Sequence, residues 1–215
     1  MHISERIKME AQRLFAIHGL EAVTVRDIVA AADLKNPGSL NYHFRSKEEL
    51  ISQVIREVMG EANALWGQRL AAVRDAGGPR ELRDVVAALV VWPLSQNPDE
   101  RNPYTARFLS NVVNSRAKML STFIRELKYQ EYDRALQYMK GFLKHLPEPI
   151  VNQRLIFFYW SLTSFLAVYE TVAEGGIKPD SVWSRADPFA NFINSMVALL
   201  SAPVDDISQG AKELA

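Results

Sequence analysis

Residues 24–47, TVRDIVAAADLKNPGSLNYHFRSK, read as two short helices around a tight turn. Thr24 with Asp27 three positions later forms a capping-box-like start, and Val25, Ile28, Val29 and Ala32 then share one apolar face. The spacing predicts a helix from about Val25 to Ala32. Asp33 stands where the chain needs a residue tolerant of positive φ, and Leu34 follows as an apolar plug. Asn36 can cap the next helix, and Pro37 suits a first helical position, where its missing N–H leaves no bond unmade. Leu40 and Phe44, four apart, face inward and leave Ser39, Asn41, Tyr42 and His43 to point elsewhere. Polar and amphipathic side chains on so short a helix make a poor core and suit hydrogen bonds to bases and phosphates. The outline is a helix-turn-helix, which delivers its second helix to the major groove of DNA.

Working outward, Ile7, Ala11, Leu14, Phe15 and His18 form a stripe at helical spacing, with Ser4 as a candidate cap and Gly19 as a stop. Ser46 and Glu49 form a second capping box. Leu50, Ile51, Val54, Ile55, Val58 and Met59 continue as the apolar face of a long helix toward Leu65 and Trp66. Gly77-Gly78-Pro79 breaks the chain before a helix through Val85 to Val91, and the proline-studded stretch from Pro93 to Pro103 reads as a loop. Further helices are expected after Pro103, Pro149 and Pro188. No strand alternation, internal repeat or low-complexity block interrupts this all-α pattern.

Phe15 and Gly19 ending the first helix, Thr24-Val25-Arg26-Asp27-Ile28, Tyr42-His43-Phe44 and Ser46-Lys47-Glu48-Glu49-Leu50 together resemble the tetracycline-repressor (TetR) family of bacterial transcriptional regulators. The resemblance covers roughly the first fifty-five residues. It departs in two places: Ala32-Asp33-Leu34 stands where many members have Ala-Gly-Val, and the stretch from Leu34 to Tyr42 is one residue longer than the commonest pattern. By motif match the resemblance implies that Tyr42 and His43 lie on the recognition helix and that Lys47 touches a phosphate. Thr24, Arg26, Lys35, Asn36, Ser39 and Asn41 complete the candidate DNA contacts.

The same resemblance implies a head at residues 1–47, a helical effector-binding and dimerisation domain at 48–203, and a flexible tail at 204–215. The last two long helices would pair with those of a second copy. A homodimer would hold two heads about 34–36 Å apart, one turn of DNA, on a palindromic operator. A pocket for an apolar or aromatic small molecule is implied too, with Trp66, Trp92, Phe108, Asn111, Phe123, Tyr138, Phe158, Trp160 and Ser161 as candidate walls. Taken singly, each is as readily an ordinary core residue.

Composition narrows the alternatives. With 215 residues, 48% hydrophobic and no cysteine, the chain can build a large core without disulfides or cysteine-rich metal sites. No secretory leader opens the chain, so the expected location is cytoplasmic. The apolar run from Leu155 to Tyr169, bounded by Arg154 and Glu170, reads as a central buried helix too short for a bilayer, so no membrane partner is expected. Lysine plus arginine equals aspartate plus glutamate at 25 each. Residues 24–47 nonetheless carry Arg26, Lys35, Arg45 and Lys47 against Asp27 and Asp33, an excess of two cations. So modest a basic footprint needs a second copy for useful DNA affinity. Four histidines, at 2, 18, 43 and 145, have no ligand-like spacing. No nucleophile elbow, HExxH or phosphate loop is present, so neither metal, cofactor nor enzyme activity is expected. A helical small-molecule or lipid carrier without DNA binding is the remaining rival.

Overall fold

The computed structural model describes residues 2–34, 38–90, 102, 104–126, 130–178 and 180–204, with the side chains of residues 39, 41, 125 and 126 excepted. Among the described residues there are nine helices and no strand. The first three make the head: α1 (Ile3–His18), α2 (Val25–Ala31) and α3 (Gly38–His43). α4 (Lys47–Asp75) leaves the head and enters the body, where it meets α5 (Leu82–Leu89), α6 (Thr105–Glu126) and α7 (Gln130–Phe142). α8 (Glu148–Glu174) packs along α6, and α9 (Pro188–Ser201) closes against α5 and α8.

Local chemistry sets the ends of these helices. Thr24 Oγ1 accepts from the Asp27 N–H at 3.2 Å while the Thr24 N–H donates to Asp27 Oδ2 at 2.8 Å, so both orphan donors at the start of α2 are satisfied. Asp33 adopts φ +50°, and the following Leu34 N–H returns to the Val29 carbonyl at 3.0 Å. Ser46 Oγ accepts from Glu49 N–H, but the Glu49 carboxylate bonds the Arg45 N–H rather than that of Ser46. Expected ends differ at α1, where His2 holds the cap position without a side-chain bond and Ser4 lies inside the helix. His18 is exposed rather than part of the apolar stripe. The proposed cap at Asn36-Pro37, most of the loop from Pro93 to Pro103, and the tail beyond Val204 lie outside the described residues.

One core runs through the molecule. Ile7, Phe15, Ile28, Leu40, Leu50 and Ile51 are fully buried in the head and its junction with α4, and Leu70, Val86, Val112 and Met139 are fully buried in the body. Prolines announce α6, α8 and α9, but none announces α7, which the structure separates from α6. α6 is itself kinked at Arg116, with φ −136° and ψ 32°.

α8 corrects the sequence reading. It is 27 residues long and, by length and composition, is the one helix among the described residues able to cross a bilayer. It is not central either. Val151, Leu155, Phe158, Leu162 and Leu166 are buried, while Ile156, Phe157, Trp160 and Val168 are 47–54% exposed along the opposite face. Its ends are tied to the body. Arg154 donates to the carbonyls of Leu200 and Ala202, and Phe165 stacks on Phe192 of α9 with ring centres 4.2 Å apart.

Candidate nucleic-acid interface and effector cavity

The head turns a small set of side chains outward from a sealed base. Leu40 is fully buried and Phe44 is 2% exposed, so α3 is pinned along one side. Tyr42 between them is 86% exposed and lies nearly perpendicular to the His43 ring, with ring centres 5.1 Å apart. His43 is half-buried. Arg26 is exposed on α2, and Thr24 is exposed at its cap with its hydroxyl donating to Asp27. That bond and the backbone bond from Thr24 hold the Asp27 carboxyl below the usual carboxylate range. Lys47 opens α4 with its Nζ 5.8 Å over the Phe15 ring, a cation held where α1 meets α4. Ser39 and Asn41 lie on α3, but their side chains, like Lys35 and Asn36 as a whole, are outside the described residues.

In the body, a void of about 20 Å³ lies between three helices. Met59, Ala62 and Trp66 of α4, Ala106 and Leu109 of α6, and Tyr159, Leu162, Thr163 and Leu166 of α8 line it. Trp66 donates its indole N–H to the Leu89 carbonyl and is backed by the Tyr132 ring at 5.6 Å. Among the described residues, Trp66 is the one wall expected from sequence that lines this void. The others go elsewhere: Phe108 packs on Phe15, Phe158 is buried beside the void, Tyr138 and Ser161 are half-buried, and Trp160 faces outward. Phe123 lies under the Arg56 guanidinium, at 4.7 Å, in an open cleft of about 620 Å³ between α4 and α6. Trp92 is outside the described residues.

Asn111 has a different task from the one its sequence context suggests. Its amide donates to the Phe15 and Ala16 carbonyls at 2.8 and 3.2 Å, so it caps the end of α1 from α6. Around it, Gln12 of α1 bonds Thr105 and accepts from Asn102, both at the start of α6. That start is held in turn by α8. Glu170 accepts from the Ala106 and Arg107 N–H groups at 2.8 and 2.9 Å, which places a carboxylate at a helix N-terminus. Burial pushes Glu170 up to about 7 against the downward pull of those N–H groups and of Arg107. At the other end of this junction, Arg116 at the α6 kink pairs with Glu21 of the head and Glu48 of α4. α6 therefore lies between the void on one side and the head on the other.

A short helix with an exposed aromatic on a three-helix head, carried by a larger helical body, is the architecture of a helix-turn-helix head on a helical domain. Residues 9–54 match the family of bacterial regulatory proteins, tetR family. The HTH-type transcriptional repressor KstR2 of Mycolicibacterium smegmatis is 45% identical over 71 residues, 33% of this chain and 33% of that protein. KstR2 of Rhodococcus jostii is 38% identical over 66 residues, covering 31% and 32%. Each match spans only about a third of the relative's length. Along nearly the whole chain, the fold is similar to that of a Shewanella sp. PV-4 protein described as a tetR family transcription regulator. That comparison has a TM-score of 0.57 at 17% identity and covers 94% of this chain and 97% of the other. A Rhodococcus sp. RHA1 protein described as a transcriptional regulator gives a TM-score of 0.51 at 19% identity over 94% and 97%. The family match is thus confined to residues 9–54, and along the rest of the chain the likeness to these proteins is one of fold.

Proposed function

We propose that this chain is a ligand-responsive DNA-binding regulator that acts as a repressor on a palindromic operator, with residues 1–47 as the DNA head and 48–203 as the effector and dimerisation body. The observation that carries this reading is Tyr42, 86% exposed on a helix whose flanking Leu40 and Phe44 are buried. A large aromatic held rigidly in solvent contributes nothing to the fold and suits a partner surface. The tetR match over residues 9–54 and the printed repressor role of the matched relatives support the same reading. It places the chain in the cytoplasm, among proteins without catalytic chemistry.

Dimerisation is proposed through the exposed apolar face of α8, where Ile156, Phe157, Trp160 and Val168 recur at helical spacing. In that arrangement the two α3 helices stand one turn of DNA apart. An effector in the body would favour a second spacing and release the operator, by a coupling of about 1–3 kcal/mol.

Fluorescence-anisotropy titration on DNA flanking its own gene tests the reading. Specific binding that weakens steeply with salt is expected. Tyr42→Ala should weaken it by about 1–3 kcal/mol, the range for a base contact, with the oligomeric state unchanged. Trp160→Glu should yield monomers in sedimentation and lose tight operator binding while keeping the helical content. Absence of salt-sensitive specific binding would favour the helical carrier instead.

A further inference from the structure

We propose that Tyr159 reads the effector, its buried hydroxyl donating to one neutral carbonyl oxygen of an otherwise apolar, ring-bearing molecule held between α4, α6 and α8. This rests on the reading of the body as an effector domain and assigns a chemical class to it.

The walls of the void decide the chemistry. Two side chains among its lining carry a hydroxyl, Tyr159 and Thr163, and Thr163 already donates to the Tyr159 and Trp160 carbonyls of its own helix. The Trp66 N–H is committed to Leu89. Tyr159 Oη is buried and has no hydrogen-bond partner among the described residues. A buried phenol in that state costs stability, and phenylalanine of the same shape would remove the cost. Packing alone therefore gives no reason for a hydroxyl at this position.

The hydroxyl's charge state selects its partner. Burial, reinforced by the nearby Tyr132, pushes the Tyr159 phenol well above its ordinary range, so it stays protonated and offers a donor rather than a negative charge. Among the described residues no cationic or anionic side chain lines the void, so a charged ligand group would meet no counter-ion from them. A neutral acceptor oxygen fits, and a carbonyl presents its lone pairs with least bulk. The remaining walls are aliphatic apart from Trp66, which is braced from behind by Tyr132. Trp66 and Tyr159 suit the faces or edges of a flat ring.

Size adds a consequence for signalling. A void of about 20 Å³ is close to the space of a single water. Any effector must part the helices that enclose it. α6 is one of them, offering Ala106 and Leu109 to the void and Phe108 and Asn111 to α1. Occupancy of the void thus shifts the helix that grips the head.

Matched probe pairs, 1-indanone against indane and 1-tetralone against tetralin, test the assignment by calorimetry on the full chain and on Tyr159→Phe. The ketones are expected to bind the wild type about 2- to 12-fold tighter than their hydrocarbons, the span of a net hydrogen bond. In Tyr159→Phe that preference should fall to parity while the hydrocarbons keep their affinity. An infrared measurement on the wild type alone is a second check: the C=O stretch of bound 1-tetralone should move to lower wavenumber. Equal affinity within each pair, a preference that survives in Tyr159→Phe, or no saturable binding of any probe overturns the proposal. So does a fall in the Tm of Tyr159→Phe with the ketone preference intact, which would mark the hydroxyl as the partner of a resident water. Titration of the same samples with the flanking DNA separates the two readings, since ketone preference without DNA binding supports the site and removes the regulator.

Discussion

In the head, the packed side chains are sealed and the chemistry points outward: Phe15, Ile28 and Leu40 are fully buried while Tyr42 stands 86% exposed. In the body the arrangement is reversed, with a void between α4, α6 and α8 and, on Tyr159 of its lining, a buried hydroxyl. A surface that reads DNA must present fixed positions, so its support is packed without slack. A compartment that admits a small molecule must be able to open, and incomplete packing lowers the cost of opening. The difference teaches where each part tolerates change. The head should fail when its packing is altered, whereas the body should respond in degree.

Removing the support of α3 is the strongest way to break that contrast. Phe44→Ala deletes a ring that is 2% exposed where α3 ends, and buried Phe→Ala changes cost about 3–5 kcal/mol. Urea unfolding should show that loss, and anisotropy should show DNA binding abolished at every salt concentration. If Phe44→Ala keeps DNA affinity within twofold, α3 does not depend on its packed base and the contrast is wrong.

The two regions should also answer pH with opposite sign. Glu170 in the body titrates at about 7 rather than its ordinary 4.5 because it is buried. The folded state then holds that proton more tightly than the unfolded chain, so stability falls as pH rises from about 4.5 to 7 and stays reduced above. The full span is about 3 kcal/mol. Asp27 in the head runs the other way: its carboxyl is held below the usual range by Thr24, so the stability it contributes is present above its unfolded value and lost as pH falls through the folded one. Urea midpoints between pH 4.5 and 8 should decline with rising pH, and Glu170→Gln should flatten that decline. An unchanged slope in Glu170→Gln would assign the dependence to another group.

The contrast also explains which features could be read from sequence. Thr24 with Asp27, Asp33 at the turn, and Leu40 with Phe44 are patterns written within a few residues, and each has a single structural answer. α8 offers no such phase. It is apolar around most of its circumference, so a shift of one residue, about 100° on a helix, exchanges inside for outside. Phe158, Trp160 and Ser161 are the candidates by sequence on this helix, while Tyr159, Leu162, Thr163 and Leu166 line the void. α7 lacks the proline that marks its neighbours, and Glu170 meets Ala106 across 64 residues of chain. Nothing local announces either.

Asn111 offers the finest test, because it joins the two regions across 96 residues of sequence. Its amide bonds two carbonyls at the end of α1, that of Phe15, which also accepts from the Gly19 N–H, and that of Ala16. Asn111→Ala should cost about 1 kcal/mol, the net value of such a bond. A residue that only stabilised the fold would leave DNA affinity unchanged once the protein is folded. A residue through which α6 holds the head should lower DNA affinity severalfold and also shrink the difference in affinity between the probe-bound and probe-free protein. Parallel anisotropy titrations with and without 1-tetralone measure both quantities. An unchanged difference would mean that α6 reaches the head through the Phe15–Phe108 contact or the Arg116 pairs instead.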